Sequence, residues 1–339
     1  MERQDGVLSP GSRVAERYTL ERTLGGGAMS TVYEARDPSG ALVALKTLSV
    51  RAGSVDGEER RARFLRETVL CRALVHPHIV PVVDHGIDAD TGVVFLVMPL
   101  LYGEDMAALL DRAGAIVPPV AVALFVQACA GLGAAHARGV VHRDVKPSNL
   151  FLETRSAEIV VRVTDFGLAK ARDDVIAAAG STPDGPMALT GTGRFMGTPQ
   201  YVSPEQAVSA KHVDERSDVF SLAMSLYHAL SGAPAFAYVR SFMGLVLEIT
   251  SREAPHIQDA APWVPPEVAR VVHAALLRDR TVRCPSMAEF ALALETAVGI
   301  ETSRRPVALD AYLPADAAWQ KVRVARAELV SSWADILTA

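Results

Sequence analysis

From Tyr18 onward apolar and polar positions alternate: Tyr18, Leu20 and Leu24 run into Gly25-Gly26-Gly27, and Val32 and Ala35 resume the alternation beyond it. Successive side chains on a strand point to opposite faces, so the pattern predicts strand, glycine turn, strand. Leu42-Val43-Ala44-Leu45-Lys46 predicts a third strand, and residues 80–83 and 93–98 complete a small, mainly antiparallel sheet. Between them Phe64, Cys71, Leu74 and Val75 recur at helical spacing and stop before Pro77. Glu67 lies three residues after Phe64 and four before Cys71, so it shares their inward face, a costly place for a carboxylate without a cation.

After Pro99 the texture turns helical. Val122, Phe125, Val126, Cys129, Leu132 and His136 trace one helix face, and residues 219–230 form another apolar helix. A small sheet followed by helices predicts an α+β, bilobal chain. Residues 1–17 read as a flexible lead-in, 18–98 as the sheet lobe with one helix, 99–102 as a hinge, 103–298 as the mainly helical lobe and 299–339 as a tail. The Ala-, Gly-, Ser- and Pro-rich stretch 177–186 reads as a mobile loop. In the tail Trp319, Val322, Leu329, Val330, Trp333, Ile336 and Leu337 recur at helical spacing behind Pro314, which predicts an amphipathic helix, expected to pack on the larger lobe, with a partner or dimer helix as the alternative.

Composition narrows this only modestly. With 339 residues, half of them apolar, the chain has enough material for one large core or two modest ones, which excludes disorder throughout. A net charge of −5 gives no general reason to expect a nucleic-acid partner. Cys71, Cys129 and Cys284 are widely separated without CxxC spacing, which suits a reducing compartment. No apolar leader opens the chain and no stretch reaches the length of a membrane span, so a cytoplasmic location is expected.

The candidate chemistry sits in His142-Arg143-Asp144-Val145-Lys146-Pro147-Ser148-Asn149, followed by Asp165-Phe166-Gly167. Asp144 is a carboxylate able to take or orient the proton of an attacking hydroxyl, and Lys146 a cation able to steady phosphoryl charge. Asn149 and Asp165 are hard oxygen donors of the kind Mg²⁺ prefers. In the sheet lobe, glycines at 25 to 27 let backbone N–H groups approach phosphates, and Lys46 on the adjoining strand reaches beneath that turn. Taken alone, the glycines are more often a simple hairpin turn; a buried Glu67 and a strand Lys46 explain each other as an ion pair.

These motifs, in this order, resemble eukaryotic-like bacterial serine/threonine protein kinases across residues 18–298. The resemblance implies a protein kinase that moves the γ-phosphoryl of ATP to serine and threonine hydroxyls of proteins, with Mg²⁺, or Mn²⁺ in its place. Leu24, Gly25, Gly27, Ser30 and Val32 would cover the nucleotide, Ala44, Met98, Pro99 and Leu101 would border adenine, and Lys46 would hold phosphates while paired with Glu67. Asp144 would be the base, Asn149 and Asp165 the metal ligands, and Lys146 and Thr198 mark the serine/threonine branch. Gly197-Thr198-Pro199 and Ser203-Pro204-Glu205 resemble the substrate-binding segment and the Ala-Pro-Glu motif; Asp218 resembles the residue tying the catalytic loop to the central helix, and Arg283 would pair with Glu205. Ser30 replaces the third loop glycine and Pro99 the usual first hinge residue. The adenine contact there uses the carbonyl, which proline retains.

Arg143 precedes the catalytic aspartate, where an arginine can capture a phosphate on an activation loop. Thr190 and Thr192 are the candidate phosphosites, and self-activation in trans would use a homodimer. A nucleotide-binding pseudokinase or scaffold is the alternative, and it would rest on a missing lysine, aspartate or metal ligand. A small-molecule kinase is a further one, which would not need the Gly-Thr-Pro and Ser-Pro-Glu segments.

Overall fold

The computed structural model describes residues 8–26, 30–48, 68, 71–155, 158–166, 199–208, 213–299 and 307–308. These fall into two compact units, with the division along the chain between Tyr102 and Gly103.

The first unit is a six-stranded antiparallel sheet in the order β1 (Arg13–Val14), β2 (Tyr18–Gly26), β3 (Ser30–Arg36), β4 (Leu42–Leu48), β6 (Val94–Pro99) and β5 (Asp84–Ile87). Strand alternation sends Tyr33, Ala35, Val43, Leu45, Phe95 and Val97 to one face, where they pack with Val14, Tyr18 and Leu20 as the core. Val32 and Ala35, three apart, therefore lie on opposite faces. Register shifts between Leu20 and Arg22 and between Thr23 and Gly25 break the expected continuity of β2, which leaves Leu24 39% exposed instead of facing inward with Leu20.

The strand expected at 80–83 forms at Asp84–Ile87 instead. Pro81 has no N–H to give a ladder, and regular pairing with β6 begins at Asp84 opposite Val97. Asp84, His85 and Gly86 are poor strand formers, so the apolar run before them drew the reading upstream. Thr68, Cys71 and Arg72 are helical, as the spacing around Cys71 predicted; Glu67 lies outside the described residues.

The second unit opens with β7 (Gly103–Asp105) and α1 (Met106–Ala113), capped by the Asp105 carboxylate on the Ala108 N–H. Then come α2 (Pro118–His136), the hairpin of β8 (Leu150–Arg155) and β9 (Glu158–Val163), α3 (Pro204–Val208) and α4 (Glu215–Ser231). It continues through α5 (Phe242–Ser251), α6 (Ile257–Ala260), α7 (Pro266–Ala275) and α8 (Met287–Val298). β10 (Val307–Ala308) returns to pair with β9, giving a sheet ordered β10-β9-β8-β7. The apolar helix expected at 219–230 begins four residues earlier, because Asp214 caps α4 by accepting from the Arg216 N–H.

Among the described residues α2 alone is long and apolar enough to cross a bilayer. It is instead buried nearly all round within this unit, including the expected Val122, Phe125, Val126, Cys129 and Leu132. Its uniform apolarity marks a central core helix.

Gly103 is fixed by geometry. Its φ is +145°, and a Cβ there would lie 2.0 Å from the Leu152 carbonyl oxygen on the neighbouring strand. Gly103→Ala is expected to destabilise the chain by at least about 2 kcal/mol, combining backbone strain and overlap with fixed backbone. A denaturant midpoint equal to that of the parent would contradict this.

Candidate active site

The loop His142 to Asn149 runs from the end of α2 to the start of β8, and its backbone is organised by Asp218 of α4, which is fully buried. Asp218 Oδ2 accepts from the His142 N–H at 2.7 Å, and Oδ1 accepts from the Arg143 N–H at 2.8 Å. His136 Nε2 lies 2.7 Å from Oδ2. One carboxylate thereby satisfies two buried backbone donors and an imidazole, groups that would be costly to leave bare.

His142 is buried and its two nitrogens have different tasks. Nε2 lies 2.7 Å from the Thr164 carbonyl oxygen, while Nδ1 accepts from the Asp144 N–H at 3.2 Å. A carbonyl only accepts and an amide N–H only donates, so the ring carries its hydrogen on Nε2. The Phe166 ring packs against it at 4.6 Å between centroids. One side chain thus links the loop to the Asp165-Phe166 segment.

Asp144 Oδ2 is 2.8 Å from Lys146 Nζ, a pair within reach of any hydroxyl that approaches the carboxylate. Asn149 Nδ2 donates to the Asp144 carbonyl at 2.7 Å and reaches Oδ2 at 3.2 Å. With the amide nitrogen committed to Asp144, Asn149 Oδ1 points the other way as an acceptor. β8 starts one residue later, and its Leu150 pairs with Val163 at the end of β9. Thr164 donates to the Asn149 carbonyl from both its N–H, at 3.0 Å, and its hydroxyl, at 3.3 Å. Asn149 and Asp165 therefore flank the same end of one hairpin.

Arg143 and Asp165 both take left-handed backbone conformations, with φ of 67° and 64°. For residues other than glycine that costs about 1–3 kcal/mol each and is retained only where the surroundings hold it. For Arg143 those surroundings are Asp218 on the N–H side and Gln206 Nε2, 2.8 Å from its carbonyl oxygen, on the other.

Among the described residues no three His, Cys, Asp or Glu side chains cluster to hold a metal unaided. The donor set fits a hard divalent cation that completes its shell from phosphates and water. Asn149 Oδ1 and the Asp165 carboxylate are both oxygen donors, and such ions are commonly held by one or two protein groups.

Beyond this loop, the segment Pro199–Tyr201 is anchored by a 2.7 Å hydrogen bond between the Tyr201 hydroxyl and His228 Nδ1. Burial pushes His228 down to about 4, so it remains an uncharged acceptor near neutrality. Glu205 of α3 meets Arg283 in two parallel contacts, Oε1–Nη1 at 2.7 Å and Oε2–Nη2 at 3.0 Å. That pairing is the one expected from the sequence.

In the first unit the register decides which side chains share a face. Val32 pairs with Lys46, Ala44 with Met98 and Lys46 with Leu96, so Val32, Ala44, Lys46 and Met98 lie together on the face opposite the core. Lys46 is only 6% exposed and is not without a partner. Gly25 pairs with Val32, and Leu24 is the extra residue in the bulge beside it. Pro99 ends β6 opposite Val43, and Leu101 follows it. Gly27, Glu67, Thr190, Thr192 and Thr198 lie outside the described residues. Sequence reasoning placed His136 on a helix face without a role at the site and passed over Gln206, for which the Ser203-x-x-Gln206 spacing of a helix capping box was the available signal.

In the second unit a carboxylate paired with lysine accompanies an asparagine and an aspartate at one hairpin end, and in the first unit a buried lysine lies on a sheet face beside a glycine-bearing strand; these residue types are the ones the protein kinase class carries. Residues 18–289 match the protein kinase domain, and the chain belongs to that family, in its eukaryotic-like bacterial serine/threonine branch. It is 34% identical over 288 residues to a probable serine/threonine-protein kinase of Corynebacterium efficiens, covering 83% of this chain and 41% of that protein. It is 35% identical over 289 residues to the serine/threonine-protein kinase pkn3 of Myxococcus xanthus, covering 84% and 50%. Against PknD of Mycobacterium tuberculosis the identity is 35% over 303 residues, covering 87% and 41%. The chain thus spans half or less of the length of these relatives. The crystal structure of the Mycobacterium tuberculosis PknI kinase domain superposes with a TM-score of 0.64 at 29% identity, over 86% of this chain and all of that one. The family uses ATP and a divalent metal.

Proposed function

We propose that this chain phosphorylates serine and threonine hydroxyls of protein substrates, taking the γ-phosphoryl from ATP with Mg²⁺. The observation that carries the reading is the Asp144 carboxylate, held 2.8 Å from Lys146 Nζ and braced by the Asn149 amide. Asp144 accepts the proton of the incoming hydroxyl and aligns its oxygen for in-line attack, as the hydroxyl oxygen bonds to phosphorus and the bond to the β-phosphate oxygen breaks. Lys146 offsets charge on the transferring group. Asn149 and Asp165 would hold the metal, which when bound neutralises phosphate charge and orients the β- and γ-phosphates.

On the sheet, Val32, Ala44 and Met98 offer an apolar face to a purine, and Lys46 adds a cation for phosphate on that same face. By the family resemblance Leu24, Gly25, Gly27 and Ser30 would cover the nucleotide, Pro99 and Leu101 would border adenine, Glu67 would pair with Lys46 and Thr198 would serve the acceptor side. The direct test incubates the protein with labelled ATP, Mg²⁺ and a generic protein acceptor. A nucleotide-binding scaffold would bind ATP and transfer nothing.

Activation is proposed to follow phosphorylation of Thr190 and Thr192 in trans by a second copy. Arg143 stands immediately before Asp144, where a guanidinium can pair with a phosphate on the activation loop. Mass spectrometry after incubation with Mg-ATP is expected to find phosphate at one or both threonines. Full activity with neither modified would rule this out.

A further inference from the structure

Gln206 joins two parts of the second unit that stand 63 residues apart in sequence. Its backbone N–H donates to Ser203 Oγ at 3.3 Å, and its Oε1 accepts from the Ser203 hydroxyl at 3.1 Å and from the Ser203 N–H at 3.4 Å. This is a reciprocal capping box at the start of α3. It also fixes the amide's orientation. With Oε1 taken by Ser203, Nε2 faces the Arg143 carbonyl oxygen at 2.8 Å, an acceptor that only an N–H or O–H can satisfy.

The bonded carbonyl belongs to the peptide that leads into Asp144. Arg143 is in the left-handed region, and its conformation is gripped from both ends, by Asp218 at the N–H and by Gln206 at the C=O. The other edge of that peptide, the Asp144 N–H, donates to His142 Nδ1. Asp218, Gln206 and His142, from three segments, therefore hold Arg143 and the peptide leading into Asp144, and Gln206 is the one that belongs to the segment after Gly197-Thr198-Pro199.

We infer that Gln206 is a positioning residue for Asp144, coupling formation of the α3 cap to the seating of the catalytic carboxylate; this rests on the reading of Asp144 as the proton-accepting group. A purely structural role would need only the cap. Glutamate completes a capping box as well as glutamine does, but an ionised glutamate has no hydrogen to give the Arg143 carbonyl. The identity of residue 206 as glutamine is therefore specific to the second task.

The test compares the full chain with its Gln206→Glu, Gln206→Met and Asp144→Asn variants in the labelled-ATP assay, alongside thermal midpoints and nucleotide affinity. Gln206→Glu keeps the cap but loses the bond to the Arg143 carbonyl and sets an oxygen against it, so its midpoint should fall less than that of Gln206→Met and its affinity for ATP should match the parent, while kcat for the protein acceptor falls roughly 10- to 100-fold through misplacement of Asp144. Gln206→Met loses cap and donor together, so both midpoint and kcat should fall. Parental kcat in Gln206→Glu would overturn the inference. So would a slow Gln206→Glu beside a fast Gln206→Met, since the new charge would then be the cause. If Asp144→Asn keeps the parental rate, the assignment of Asp144 itself fails; if it is inactive while Gln206→Glu is unimpaired, only the positioning role falls.

Discussion

Asp144→Asn is expected to lower phosphoryl transfer to a protein acceptor by roughly 100- to 10,000-fold while leaving the thermal midpoint close to that of the parent. The substitution is nearly isosteric. An amide oxygen in place of Oδ2 still accepts from Lys146 Nζ and Asn149 Nδ2, and the backbone carbonyl that takes the Asn149 bond is unchanged. What disappears is the capacity to accept a proton, together with a negative charge beside the incoming hydroxyl. ATP affinity should change little, since the side chain is proposed to address the acceptor and not the nucleotide. A variant retaining more than about a tenth of the parental rate would mean that Asp144 neither accepts the proton nor aligns the hydroxyl, since general base catalysis contributes at least about 100-fold.

Glu205→Ala should have the largest effect on stability, because it strands Arg283. That guanidinium is completely buried and has all five of its hydrogens engaged. Nε donates to the Leu277 carbonyl, Nη1 to Glu205 and the Arg216 carbonyl, and Nη2 to Glu205 and the Arg278 carbonyl, while Phe220 lies beneath its plane. Removing the carboxylate leaves an uncompensated buried cation, which costs about 3–5 kcal/mol. For a domain of this size that is a drop in thermal midpoint of roughly 10 °C. Substitution of Arg283 by lysine should not rescue the pair, since an ammonium has three hydrogens and no planar fork.

The same pair has a signed pH dependence. Burial by itself raises the Glu205 carboxyl, but the Arg283 hydrogen bonds, the Ser217 hydroxyl and the guanidinium charge outweigh it and hold the group below the ordinary carboxylate range. A group whose pKa is lower folded than unfolded binds fewer protons when folded. Its contribution is therefore complete above the unfolded carboxyl's pKa and is lost as the pH falls through the depressed folded value. The stability gap between the parent and Glu205→Gln should shrink on acidification below that range. A gap that widened there would contradict the assignment.

Much of the candidate site could be read along the chain because its chemistry is local. Asp144, Lys146 and Asn149 fall within six residues, and the loop between α2 and β8 carries them as one block. The pairing of Glu205 with Arg283 came from family resemblance, since nothing along a sequence separation of 78 marks the partner. The faces of the first sheet were only partly legible. Period-two reading placed Leu24 with Leu20, but two register shifts in β2 undo that, and a bulge leaves no mark in hydrophobic alternation. The strand read at 80–83 failed in a related way, because pairing with β6, not the apolarity of the run, decides where β5 starts.

The linear sequence on its own determined the α+β class, the kinase family and the chemical types at Lys46, Asp144, Asn149 and Asp165, since these follow from side-chain identity and short-range spacing. Only the tertiary structure decided how the strained Arg143 backbone is held, because Asp218 and Gln206 reach it from α4 and α3, tens of residues downstream. A buried carbonyl or N–H accepts whichever complementary group the fold brings within hydrogen-bond distance, and that choice depends on packing between distant elements that no local pattern encodes.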